Sequence, residues 1–143
     1  MKQMKIIVAA LSILLLLCAC SSGETLVEKD YQEFMDTIQS EDFTGFAYIL
    51  RTYEAQDNHY LDDLKEVFDE KGETLTYFNV QTASEETKDL HNEESSQIAL
   101  YQPNDEVVYI QDGEPMEALE ITDEIMAEGY HDTLKEFIDN NPR

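Results

Sequence analysis

The chain has 143 residues with 32 acidic and nine basic side chains, a formal charge of −23 at pH 7, and no tryptophan. Such a surface repels polyanions and anionic lipid headgroups, which disfavours nucleic-acid binding and adhesion to membranes through a basic patch. Its only cysteines are Cys18 and Cys20, too few and too close for a disulfide framework or a four-cysteine metal site.

The first element is a run of apolar residues, Ile6 to Leu17, preceded by Lys2 and Lys5 and followed by Leu17-Cys18-Ala19-Cys20-Ser21-Ser22-Gly23. A membrane-spanning helix needs about 20 apolar residues, and this run stops well short before it meets polar residues. The positive start, the apolar stretch and the small residues before a cysteine have the form of a secretory signal, and Leu17 to Cys20 resembles a bacterial lipobox. The resemblance implies removal of residues 1–19 and a diacylglyceryl thioether on Cys20. Two acyl chains hold a protein on a bilayer where one would not. The sequence therefore predicts a lipid-anchored protein on the extracytoplasmic face of the cell membrane, with residues 20–24 as lipidated cysteine and spacer and 25–143 as one domain.

Processing would remove both Cys18 and two basic residues and no acidic ones, leaving a balance of −25 and no free thiol. Dithiol redox chemistry and cysteine-ligated metal are then excluded by composition. The remaining acidity has three readings: a solvated anionic coat, a face for cationic peptides or proteins, or divalent-cation binding.

In the mature chain, Thr25 and Glu28 have capping-box spacing, and Val27, Tyr31, Phe34, Met35 and Ile38 recur at helical intervals. This predicts an amphipathic helix over 25–39. Phe43 to Leu50 is apolar and aromatic, too short for a typical helix, and is assigned as a buried central strand. After the polar link 51–57, Tyr60, Leu61, Leu64, Val67 and Phe68 form one helical face, ended by Lys71-Gly72. Leu75 to Val80 is the next strand, so one βαβ unit with parallel strands is expected. A polar link from Gln81 to Glu94 has room for a short helix over 84–90. Gln97 to Tyr101 and Val107 to Ile110 flank Pro103-Asn104-Asp105, a hairpin pattern. Residues 112–129 are acidic and of undetermined conformation, and Leu134, Phe137 and Ile138 mark a closing helix over 130–140.

The order helix, strand, helix, strand, link, hairpin, helix resembles the thioredoxin fold, in particular the small extracytoplasmic bacteriocin transport accessory proteins. The likeness rests on Phe46-Ala47-Tyr48-Ile49-Leu50 with the helix from Asn58, on Ser96-Gln97-Ile98-Ala99-Leu100-Tyr101 with its hairpin, and on Thr133 to Asp139. It implies an α/β fold with a mixed central sheet of about four strands flanked by helices. Where the family carries Cys-x-x-Cys, this chain has Ala55-Gln56-Asp57-Asn58. The family's cis-proline position falls on Ser96, where a cis bond would cost about 2.5–4 kcal/mol, so a trans bond is expected. The resemblance thus implies a scaffold without its nucleophile, since no low-pKa thiolate is available.

Other chemistry is thinly represented. His59, His91 and His131 are scattered and have no metal-ligand spacing. His59 with Asp62 and Asp63 spans one helical turn, which is also the ordinary pattern of a solvated face. The doublets Glu85-Glu86 and Glu93-Glu94 lack the glycine and alternating oxygens of a calcium loop. Ser95 and Ser96 have no base beside them in sequence. No cofactor or metal is expected. Most aromatic residues fall at core periodicity, but Tyr53 and Tyr60 flank the loop where the thiols would stand. The candidate ligand groove is therefore Tyr53, Ala55, Asp57, Asn58, His59, Tyr60 and Ser96, with Asp57, Asp62 and Asp63 offering charge to a cationic peptide. These residues predict a non-catalytic domain that binds a protein or peptide. An accessory subunit of an export or cell-envelope complex is the alternative, and an uncharacterised hydrolytic or metal-dependent enzyme is third.

Overall fold

A computed structural model describes residues 23–97, 100–129 and 131–141. The predicted signal segment and Cys20 lie outside the described residues, as do Ile98 and Ala99 of the predicted strand 97–101 and Tyr130 at the start of the closing helix.

Eleven elements follow one another: β1 Leu26–Glu28, α1 Tyr31–Ile38, β2 Gly45–Leu50, α2 Tyr53–Asp57, α3 Tyr60–Lys71, β3 Leu75–Asn79, α4 Glu85–Ser95, β4 Glu106–Gln111, β5 Glu114–Glu120, α5 Asp123–Met126 and α6 Asp132–Asn140. The strands form one sheet in the order β1-β3-β2-β4-β5. Strands β1, β3 and β2 are parallel, β4 runs antiparallel to β2, and β5 antiparallel to β4. This is a thioredoxin-like α/β fold, with five strands where about four were expected.

The central position of β2 follows from its sequence. All six residues of Gly45–Leu50 are buried, as a continuous apolar run requires when both sheet faces are covered. Alternate residues feed two cores. Phe46, Tyr48 and Leu50 pack with α3, Ala55, Ile121, Met126, Leu134 and Ile138 on one face. Ala47 and Ile49 pack with Tyr31, Phe34, Met35 and Ile38 of α1, and with Phe78, Val108 and Ile110, on the other. Helix α3 presents Tyr60, Leu64, Val67 and Phe68 inward and ends at Gly72 in the left-handed region (φ 67), as the Lys71-Gly72 signal predicted.

Three expectations are corrected. Residues 25–28 do not begin a helix: Leu26–Glu28 adds to β3, with Leu75 N donating to Thr25 O at 2.8 Å and Lys29 N to Tyr77 O at 2.9 Å. The Thr25 hydroxyl donates to Asp69, and the cap of α1 is Asp30, whose carboxylate accepts from Glu33 N at 2.9 Å. An open sheet edge outweighs helical periodicity there. The helix expected over 84–90 extends to Ser95.

The third correction concerns the hairpin. Strand β4 pairs with β2 and β5, and the described residues Gln97, Leu100 and Tyr101 belong to no strand. The turn is Asp112-Gly113, both at positive φ (53 and 78), the requirement of a tight turn matched to strand twist. A Cβ on Gly113 would lie 2.7 Å from Ser40 O, so only glycine fits beside the loop before β2. Strand β5 escapes the alternation test because Glu114, Met116, Glu117 and Glu120 are all exposed, and only Leu119 is partly buried. It forms an outer edge of the sheet.

The carboxyl ends of β2 and β3 and the amino end of β4 share one end of the sheet, with Leu50 beside Asn79 and Ile49 bridged to Asn104. The start of β1, the Gly72 turn, the loop 40–44 and the Asp112-Gly113 turn share the opposite end.

Candidate functional site

The carboxyl end of β2 leads into Arg51, Thr52 and the short helix α2. Thr52 caps α2 by accepting from Ala55 N, so the start of this helix is at 52–55. The segment Ala55–Asn58, where the thiols were expected to have been replaced, therefore forms its second half and exit. Ala55 is buried under the loop and turned into the core. His59 then adopts φ 58 and ψ 35, a left-handed conformation that breaks the helical path before Tyr60 starts α3.

The loop is held from both sides. The Asp105 carboxylate accepts from Arg51 N at 2.9 Å and Thr52 N at 3.2 Å. On the other side the Gln81 amide donates to Arg51 O, Gln81 N donates to Asn79 Oδ1 at 2.9 Å, and Asn79 Nδ2 donates to Gln56 Oε1 at 3.0 Å. Asp105 itself has φ 55. A non-glycine residue in this region is uncommon, although aspartate tolerates it better than most. Three strand ends thus fix one loop.

Asp123, at the start of α5, joins the far side. Its Oδ1 accepts from Asn58 Nδ2 at 2.9 Å and from the Tyr60 hydroxyl. Burial, and then the bond to Asp123, push the Tyr60 phenol up to about 12 from its ordinary value near 10. Tyr48 is raised further, by burial first and then by the charge of Asp105. Its hydroxyl is buried without a partner.

The sign of the pH effect follows. Phenols whose folded pKa is raised stabilise the fold below their unfolded pKa near 10, and this contribution is lost as pH climbs through the folded value. Stability is expected to fall between about pH 10 and 12, with late tyrosine ionisation at 295 nm coinciding with loss of the circular-dichroism signal. Asp123→Asn should bring the Tyr60 titration down toward the ordinary phenol range. An unchanged Tyr60 titration in that variant would contradict the contribution assigned to Asp123.

The predicted groove residues are partly brought together. Tyr53 is 73% exposed, while Asp57, Asn58 and His59 form the exposed turn between α2 and α3. Tyr60 is buried and serves as a hydrogen-bond donor to Asp123, so it does not line a groove. His59 Nδ1 lies 3.6 Å from Asp62 Oδ2 and both side chains are well exposed, the geometry of a solvated pair. Leu50, Ala55, Gln56, His59, Leu61 and Asp62 line a cavity of about 130 Å³ beside the turn.

Ser96 is not part of this site. It caps the carboxyl end of α4, with its hydroxyl donating to Glu93 O at 2.6 Å, and the described residues contain no cis peptide bond. The segment beside the end of β2 is Pro103-Asn104-Asp105: Ile49 N donates to Pro103 O at 2.9 Å and Asp105 N to Ile49 O at 2.8 Å. The expectation failed because 103–105 does not turn a hairpin but runs beside Ile49 and leads directly into β4.

Sequence reasoning also missed Arg51. Five lysines, at 29, 65, 71, 88 and 135, each meet a carboxylate. Among the described residues Arg51 is the basic side chain left without an ion-pair partner, although the chain is overwhelmingly acidic. It stands exposed two residues from Tyr53. The available signal was the excess of acid itself, against which an unpaired arginine is unusual.

A second polar cluster lies behind Asn104. His91 is fully buried, and its Nε2 lies 2.9 Å from Asn104 Oδ1, an acceptor, so Nε2 carries the hydrogen. Ser95 Oγ is 3.5 Å from that nitrogen but donates to His91 O at 2.7 Å. Gln102 bridges Ser95 and the Tyr31 hydroxyl, and Tyr31 donates to Glu94 at 2.6 Å. In this tautomer Nε2 cannot accept the serine proton, and Nδ1 has no orienting partner, so the pair lacks the arrangement of an activated nucleophile. The cluster instead joins α1, α4 and the 102–104 segment.

Larger concavities lie on the opposite sheet face. One of about 540 Å³ runs between α1 and α4 and is lined by Asp30, Glu86, Asp89, Leu90 and Glu93 among others. Among the described residues no cluster of His, Cys, Asp and Glu could hold a metal ion, and no helix is long and apolar enough to cross a membrane. No protein-family model matches the chain, and no curated protein matches it.

Proposed function

We propose that this chain is a membrane-anchored extracytoplasmic lipoprotein whose redox-inactive thioredoxin-like domain binds a protein or peptide at the end of the sheet where β2 meets α2. One observation carries the reading: a loop clamped from both sides holds out an exposed tyrosine beside an arginine that has no carboxylate partner among the described residues. Tyrosine and arginine are the residue types that most often dominate binding energy in interfaces, and a loop already fixed by Asp105 and Gln81 loses little freedom when it binds. Asp57 and Asp62 border the same surface and offer charge to cationic groups of a ligand. The serine–histidine geometry and the solvated His59–Asp62 pair favour binding over catalysis.

The accessory-subunit reading draws on a different surface, where Met116 is 60% exposed on β5 and Tyr101 is 38% exposed nearby. A photo-crosslinking amino acid placed at Tyr53 or at Met116 in intact cells separates the two. The binding reading expects a discrete adduct from position 53 and none from 116. In the same cells Arg51→Ala should reduce the position-53 adduct about tenfold or more, the scale of a hot-spot residue. An adduct from position 116 alone would favour the subunit reading.

A further inference from the structure

Strand polarity fixes which end of the domain a lipid on Cys20 would hold. We infer that the domain stands with its β1 start toward the bilayer and presents the Arg51–Tyr53 surface on the opposite, membrane-distal end, so that its ligand arrives from the aqueous side and not from within the membrane. This rests on the lipid-anchor reading above and adds an orientation to it.

The chain is tied into the sheet as early as Thr25, whose carbonyl accepts from Leu75 N at 2.8 Å. Five residue steps separate it from Cys20, a reach of at most about 17 Å when fully extended. Because β1, β3 and β2 are parallel, their amino ends share the tethered end, and Arg51–Tyr53 lie at the other end of the six-residue β2, about 20 Å further along. The loop 40–44 and the Asp112-Gly113 turn share the tethered end with Thr25: Gly113 N donates to Phe43 O at 3.0 Å and Asp112 N to Thr44 Oγ1 at 3.1 Å. Charge then sets the tilt. A mature chain carrying 32 acidic side chains against few basic groups is repelled by anionic headgroups over roughly a Debye length of about 8 Å at physiological salt. The tether keeps the β1 end nearest the surface, so a tilt that brings the rest of the body within that layer is opposed by repulsion.

The test uses the full chain purified from membranes with its native amino terminus and returned to vesicles of phosphatidylcholine and phosphatidylglycerol that carry a headgroup nitroxide. With Cys20 acylated, Glu41→Cys or Glu54→Cys supplies the one free thiol for a fluorophore. Both positions are exposed, the first in the 40–44 loop and the second on α2. The inference expects fluorescence quenching at position 41 at least twofold greater than at position 54, with the difference narrowing at 1 M salt. Equal quenching at both, stronger quenching at 54, or none at either overturns it. Intact mass distinguishes failure of the underlying reading: a chain without diacylglyceryl mass on Cys20 fails the anchor, whereas equal or reversed quenching on a chain that carries that mass fails the orientation alone.

Discussion

Replacement of Cys20 by alanine is expected to remove essentially all of the protein from the membrane fraction. The chain's balance after processing is −25, so headgroup attraction is absent, and no described helix is long and apolar enough to span. Each buried acyl methylene contributes about 0.8 kcal/mol, and one chain gives only marginal, reversible attachment, whereas two hold firmly. The wild-type chain should therefore partition into the detergent phase of a cloud-point extraction and resist alkaline carbonate, with a mature mass that starts at residue 20 and includes lipid. Cys20→Ala should appear in the aqueous phase, while Cys18→Ala should behave as wild type. Unchanged partitioning of the Cys20 variant would refute the anchor.

The second large effect concerns the core. Phe46→Ala is expected to destabilise the domain by about 3–5 kcal/mol, the range for deletion of a fully buried phenylalanine. Phe46 is completely buried, and its ring lies 5.4 Å from those of Phe68 and Tyr109 and 6.1 Å from that of Phe137. It joins β2, α3, β4 and α6 at one point. Domains of this size have stabilities of about 5–15 kcal/mol, so the variant should lose roughly a fifth or more of the total. A urea titration would register this as a lower midpoint. Phe46→Leu, which refills much of the space, should recover part of the loss, and Tyr53→Ala, at an exposed position, should leave the midpoint within about 0.5 kcal/mol of wild type. A Phe46→Ala midpoint equal to wild type would contradict this packing.

The elements legible in the sequence are those whose own residues carry their burial. Phe46 to Leu50 is apolar without interruption because it is covered on both faces, and Tyr60 to Phe68 repeats at helical spacing because one face meets the sheet. Leu26 and Val27 form a strand only because β3 offers an open edge to which they pair as Leu26 with Leu75 and Val27 with Thr76, a fact that no local window contains. Strand β5 is acidic on both faces, so alternation is silent, and only the Asp112-Gly113 dipeptide marks it. The site divides in the same way. Tyr53 stands out locally as an aromatic beside the β2 exit, while Asp105 and Asp123 reach the loop from 54 and 65 residues away. Ser96 was misplaced because the strand assigned to 97–101 put the wrong segment beside β2.

The exposed β5 edge has a consequence for proteins confined to a surface. Lipid-tethered molecules meet in two dimensions at high local density, where a bare strand could join its copies edge to edge into ribbons. Here Glu114, Glu117 and Glu120 line that strand and Pro115 withholds a donor, so approaching neighbours meet like charge and a missing hydrogen bond. On the proposed lipid tether, the same acidity would keep a crowded population separate.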